Sequence, residues 1–173
     1  SRNIFSKILE NINKNNPKVI GLDIFFSEKD KQSPDEIIKT YSIDDNYLKN
    51  TLKSIVGHDE KFQKTLKNTK SVLAVFGSLV PTKGTFDRKG KARIFAKGGN
   101  IKNYVYNYEY SLGSLHALEK NVKGLGSINY ITQNDAVVRS LPLIVVFNGK
   151  LFPTFGLEMI RVGEKKKTII TNL

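Results

Sequence analysis

The sequence predicts an α/β fold: a single domain with a central mixed, partly parallel sheet flanked by helices. Three observations carry this. Val19–Phe26 is a nearly unbroken apolar run rich in β-branched and aromatic residues, as expected of a strand buried on both faces. Ser71–Gly77 is a second run of the same kind. Between them Phe62 and Leu66 recur at helical spacing opposite a lysine-rich face. Strand, helix, strand in that order is the pattern of a βαβ crossover, which joins parallel strands.

The remaining elements follow in chain order. Ile4, Phe5, Ile8, Leu9 and Ile12 mark one face of an amphipathic first helix, which Asn15-Asn16-Pro17 ends. Residues 27–57 are polar and contain Pro34, so they read as a loop with helical turns around Asp35–Thr40 and Tyr47–Val56. Asp59 is placed to cap the helix that carries Phe62 and Leu66. Residues 81–103 are rich in Gly and Lys and almost without period, which predicts a mobile basic loop insertion. Tyr104, Tyr106, Tyr108 and Tyr110 alternate, as on one face of an edge strand. A short helix is expected over Ser111–Lys120, then strands over Gly126–Ile131, Ala136–Leu141 and Leu143–Phe147, the last two separated by Pro142. Asn148-Gly149 predicts a tight turn. A helix over Phe155–Val162 and a strand over Thr168–Thr171 complete the chain.

Composition bounds the chemistry. With 173 residues the chain fits one domain, and no internal repeat or domain-scale linker divides it. There is no cysteine, which excludes disulfides, thiolate metal sites and cysteine nucleophiles. Apolar runs such as Leu143–Phe147 fall far short of the roughly 20 residues a membrane-spanning helix needs. The chain opens at Ser1 without an initiator methionine, so it reads as a piece excised from a longer protein whose membrane anchors lie outside it. The formal charge is +12, from 28 basic and 16 acidic residues, and residues 61–110 hold 11 of the basic side chains against two acids. That asymmetry suits either a solvated lysine-rich surface or an anionic partner.

Catalytic constellations are incomplete. His58 and His116 have no metal-ligand spacing to other His, Asp or Glu residues, so no metal site is expected. Gly77-Ser78-Leu79 lacks the second half of a nucleophile elbow, and Lys97-Gly98-Gly99-Asn100 lacks the strand-to-helix context of a phosphate-binding loop. Asp23 sits inside an apolar strand, where a lone carboxylate is costly. A phosphatase nucleophile in that place usually has a second acid two residues on, where this chain has Phe25. Arg139 falls on the apolar face of the expected strand Ala136–Leu141, and Asp23 is its predicted partner. Asp135, just before that strand, reads as a turn residue accepting from backbone N–H groups.

Taken together, several of these stretches resemble the type-two CHASE domain, the cyclase and histidine-kinase associated sensory extracellular family. Val19-Ile20-Gly21-Leu22-Asp23-Ile24-Phe25-Phe26-Ser27-Glu28 resembles its opening signature. Asp59, Phe62, Leu66 and the strand Ser71–Phe76 match its next helix and strand, and Gly126-Ser127-Ile128-Asn129 its Gly-x-x-Asn strand. Asp135-Ala136-Val137-Val138-Arg139-Ser140-Leu141-Pro142-Leu143 and Phe152-Pro153-Thr154-Phe155-Gly156-Leu157 match the closing signatures. Ala136 stands where the family pattern has a turn glycine and Ser140 where it has a second arginine.

The resemblance implies a bacterial sensory input domain outside the cytoplasmic membrane, flanked by membrane helices and feeding a class III nucleotide cyclase. A sensor histidine kinase is the alternative output. A basic α/β module for an anionic polymer is the alternative from charge alone. The fragment itself is then not an enzyme and needs no cofactor. Its expected partners are an extracytoplasmic ligand, its own membrane helices and a second copy, but not nucleic acid. Candidate binding residues are Asp23, Asn129, Asp135 and Arg139.

Overall fold

The computed structural model describes residues 1–82, 87–131 and 135–172. At its centre lies β2 (Ser71–Ser78), whose residues from Ser71 to Val75 are all buried. Such two-sided burial is what a run of β-branched and aliphatic residues favours. β1 (Ile20–Leu22) and β6 (Gly124–Ser127) both run parallel to it, with Ile20 opposite Ser71 and Val72 opposite Gly124. β5 (Tyr110–Leu112) pairs antiparallel with the far end of β2, Phe76 opposite Leu112. The parallel crossover from β1 to β2 passes through α2 (Pro34–Thr40), α3 (Asn46–Lys53) and α4 (His58–Asn68), as the strand–helix–strand pattern predicts.

A second group of strands adjoins this sheet. β4 (Asn107–Tyr108) runs parallel to β7 (Ile144–Phe147), which turns back into β8 (Lys150–Pro153). Asn148 and Gly149 have φ of 45° and 73°, so both central residues of the predicted turn occupy the left-handed region a tight hairpin requires. A parallel bridge from Ser127 to Thr154 ties β8's exit to β6. The helix that follows, α6 (Phe155–Gly163), packs on β6, β2 and β1. Gly126 permits the approach: a Cβ there would lie 2.5 Å from the Phe155 Cα.

The first helix, α1 (Arg2–Asn13), packs against α4. Its buried side carries Arg2, Ser6 and Leu9, with Phe5 against the core, so the predicted apolar face is split. Ile4, Ile8 and Ile12 face outward at 58%, 47% and 41% exposure. Phe5, Phe26 and Phe62 meet edge-on beneath α1, with ring centroids 5.2 Å apart for Phe5–Phe26 and 4.9 Å for Phe26–Phe62. Asp59 does not cap α4. Gly57 holds the cap position and Asp59 lies in the first turn.

Four expectations are corrected. The first strand ends at Leu22, leaving Asp23 and Ile24 exposed beyond it. Ala136–Leu141 forms no strand, and these residues are exposed. The predicted helix over Ser111–Lys120 is only α5 (His116–Glu119), since β5 claims the residues before it. The described residues of segment 81–103 are not all loop. The segment contains β3 (Arg93–Lys97), parallel to β9 (Thr168–Asn172), and it buries Arg88 and Ile101 to 3% and 6% exposure. Lys83, which also belongs to the expected basic loop, lies outside the described residues.

Candidate functional site

Parallel strands present their carboxyl ends on one edge, and open α/β sheets bind ligands there. In this chain a cleft of about 440 Å³ opens where β2 and β6 end. Its wall is made by Phe76, Leu79, Val80, Tyr108 and Tyr130, with Asn129 at its base. Leu79, Val80 and Tyr130 are 69%, 66% and 61% exposed, an unusual concentration of accessible apolar surface.

Asn129 organises this edge. It is buried, and its side chain takes the place of a strand backbone beside Gly77. Its Oδ1 accepts from the Gly77 N–H at 2.7 Å and its Nδ2 donates to the Gly77 carbonyl at 2.9 Å. The Ser127 hydroxyl donates to the same Oδ1 at 3.0 Å. Gly77 has no room for a side chain, since a Cβ would lie 2.4 Å from the Phe147 ring and 2.5 Å from that of Tyr108. Burial pushes the Tyr108 phenol above its usual range, with Asn129 hydrogen bonding acting the other way. The described lining carries no carboxylate, imidazole or amine. Such a wall can hold an apolar or aromatic molecule.

Of the four predicted binding residues, only Asn129 lines the cleft. The predicted pair between Asp23 and Arg139 is not made. Arg139 instead grips Asp135 with two hydrogen bonds, of 3.0 and 2.6 Å, from an exposed position. The apolar strand that would have forced Arg139 toward Asp23 does not exist, and both acids stand in water where no buried partner is needed. Asp135 also accepts from the Val137 N–H at 3.1 Å, the turn role its sequence suggests. The Arg139 hydrogen bond, then that of Val137, holds its carboxyl below the usual value.

Three charge clusters carry more of the interior than sequence reasoning foresaw. Glu158 is fully buried on α6 and receives Arg161 at 2.6 and 2.7 Å. Glu119 on α5 is buried against Arg88, whose Nε lies 2.9 Å away and whose NH1 reaches the Ser111 carbonyl at 2.6 Å. Burial pushes both carboxyls up, and their arginines pull them back only in part. Arg2 is buried at the start of α1 and pairs with Asp59. The Glu158/Arg161 pair has a visible signal, opposite charges three apart on a helix; the other two join residues 31 and 57 apart.

Among the described residues no group of three or more His, Cys, Asp or Glu side chains could hold a metal ion. No described helix is long and apolar enough to cross a membrane. No curated protein and no solved structure matches the chain. The family model of the CHASE2 domain matches residues 1–172, and the chain belongs to that family, an extracellular sensory domain family of signalling proteins.

Proposed function

We propose that this chain is the extracytoplasmic input domain of a bacterial membrane-anchored class III adenylate or guanylate cyclase, and that its stimulus is a small apolar or aromatic molecule seated at the β2/β6 edge. The observation that carries the reading is the cleft itself: accessible apolar walls, one buried amide fastening its base, and no carboxylate, imidazole or amine in the described lining. Binding without turnover is the chemistry of a sensor. Asn129 links the cleft to the core of the sheet, and α6 packs on the same strands, so an occupant that repositions Tyr130 acts on elements shared by the whole domain. A sensor histidine kinase is the alternative output, and the sequence downstream of residue 173 decides between them.

The outward stripe of Ile4, Ile8 and Ile12 is proposed to seat the same helix of a second copy in the membrane-anchored protein, where the anchors raise the effective concentration. Class III cyclases act as dimers, so a shift of α1 against its twin is a direct route to the output. The test replaces Leu79 with Glu and, separately, Tyr130 with Ala in the full-length membrane protein and follows nucleotide cyclase output. Altered output in protein that remains folded supports the reading. Output unchanged in both variants, across conditions that stimulate the parent, rejects it.

A further inference from the structure

A second cavity, of about 360 Å³, lies between α5 and the chain that leads into β3. It shares no lining residue with the cleft at the β2/β6 edge. We propose that it binds a compact, multiply charged oxyanion of the phosphate type. This goes beyond the proposed sensing of an apolar molecule and does not depend on it.

The charge of the lining decides the ligand class. Two acids border the cavity, and each is engaged by a cation from outside the lining: Glu119 by Arg88 and Asp87 by Lys150. Three lysines, Lys89, Lys91 and Lys120, then face the cavity together with His116. Lys91 is half-buried and donates to the Lys120 carbonyl at 3.3 Å. An ammonium has three N–H groups, so it can donate further. Burial, and then the repulsion of Lys123, hold its ammonium below the usual lysine range, with the Glu119 carboxylate opposing. A dianion inserted here would meet convergent donors in a partly desolvated site, where charge-assisted hydrogen bonds are strongest.

The floor of the cavity is preorganised. Gly113 leaves room for the buried Arg88–Glu119 pair, since a Cβ there would lie 2.6 Å from Glu119 Oε1 and 2.9 Å from Arg88 Nε. Arg88 in turn is anchored on Ser111 through both the carbonyl and the hydroxyl, at 2.6 and 2.9 Å. Lys89 and Lys91 therefore follow directly on an anchored residue, and Lys91 is itself tied to the Lys120 carbonyl. Arg93 opens β3 two residues beyond Lys91, and β3 pairs along its length with β9.

The experiment is a calorimetric titration of the 173-residue chain with inorganic phosphate at constant ionic strength. Saturable binding is expected, weakened roughly tenfold or more by Lys91→Gln and by Lys120→Gln. Lys7→Gln, which removes the same charge from an exposed position on α1, should leave the affinity unchanged. Lys120 is exposed, so its variant keeps the test available if Lys91→Gln does not fold. Glycerol 3-phosphate is titrated in parallel: tighter binding than phosphate assigns the group to an ester, equal or weaker binding to the free ion. Loss of affinity as large for Lys7→Gln as for Lys91→Gln, or no saturation with either probe, overturns the proposal, because it reduces the effect to the diffuse field of a +12 chain.

Discussion

Replacing Arg161 with Met tests whether the interior of this domain depends on paired charge. Glu158 has no exposed surface, and its carboxylate receives Arg161 Nε at 2.6 Å, Arg161 NH2 at 2.7 Å and the Leu125 N–H at 3.3 Å. Arg161 also donates to the carbonyls of Lys166 at 2.7 Å and Lys123 at 3.0 Å, stitching the end of α6 to the entry of β6. Methionine fills comparable volume but leaves the carboxylate buried beside one backbone N–H. Breaking such a pair costs about 3–5 kcal/mol. Against a total stability of roughly 5–15 kcal/mol that is a large fraction. In a domain of this size it corresponds to a fall in Tm of about 6–20 °C.

The sign of the pH dependence is fixed by the same geometry. Burial raises the Glu158 carboxyl above its ordinary value of 4.5, and the Arg161 hydrogen bonds and charge oppose that rise. Without Arg161 the opposition is gone and the folded-state pKa climbs further. A raised folded pKa means the folded protein holds a proton that the unfolded chain releases. The associated stability is present below the unfolded value and lost as pH rises through the folded one. The deficit of Arg161→Met should therefore be larger at pH 7.5 than at pH 5, measured by urea unfolding followed by circular dichroism. Glu158→Leu combined with Arg161→Met should recover much of the loss, since an apolar pair leaves no charge stranded. A deficit below about 1 kcal/mol at both pH values, or one that grows on acidification, would refute the reasoning.

Two further outcomes are expected. Asn129→Ala strands the buried N–H and carbonyl of Gly77, and should lower stability by roughly 2–4 kcal/mol; a loss under 1 kcal/mol in the same urea assay would mean that water replaces the amide. Ala136 has a φ of +60°, a left-handed conformation that costs a residue with a Cβ, so Ala136→Gly should raise stability by about 0.5–1 kcal/mol, and a lower unfolding midpoint would contradict the strain.

The parts of this fold that were legible in the sequence are those with one dominant signal. Val72–Val75 is apolar without interruption, and it is the central strand. Asn148-Gly149 has the chemistry of one turn type and adopts it. The failures have physical causes of two kinds. Where polar and apolar residues alternate within a lysine-rich stretch, composition hides a real strand: Ile94 and Ala96 face inward between exposed Arg93, Phe95 and Lys97, and β9 supplies the partner from 75 residues away. Where an apolar-looking run stands without a neighbour to pair with, no strand forms, as at Ala136–Leu141, and the charge placed inside it is simply solvated. The same distinction applies to the site. Asn129 was singled out by a family pattern and its buried role follows from hydrogen bonding to Gly77. The cavity lysines and the Arg88–Glu119 pair depend on tertiary contacts across segments that share no local period.

The start of α1 holds the last prediction, and it concerns how a signal leaves the domain. Arg2 is buried over the Phe26 ring, 5.6 Å from its centroid, with one guanidinium nitrogen on Asp59 and another on the Glu28 carbonyl. Its backbone N–H donates to Asp30 Oδ2 at 2.5 Å, and the Ser1 hydroxyl donates to the same oxygen at 3.0 Å. Asp59 in turn accepts from the Asp30 N–H at 3.2 Å. Two carboxylates thus bracket the first turn of the first helix and bind it to the chain leaving β1 and to α4. Burial pushes the Asp30 carboxyl up, but hydrogen bonds from Gln32, Arg2 and Ser1, with nearby His58, outweigh it and leave it below its ordinary 3.8. A lowered folded pKa contributes stability above the unfolded value, which is lost as pH falls through the folded one, so strong acid should loosen this end of α1. At neutral pH, Asp59→Asn should do the same by removing the charge that answers Arg2. The Asp59 side chain is one-fifth exposed, so the expected cost is about 2–3 kcal/mol, less than for a fully buried pair. Hydrogen exchange locates the effect: amides of Phe5–Leu9 should exchange faster while those of β2 keep their protection, because α1 can detach from α4 without opening the central sheet. If the amides of β2 lose protection in step with α1, the helix is inseparable from the core and cannot serve as the moving part; if α1 exchanges as in the wild type, the two carboxylates do not hold it.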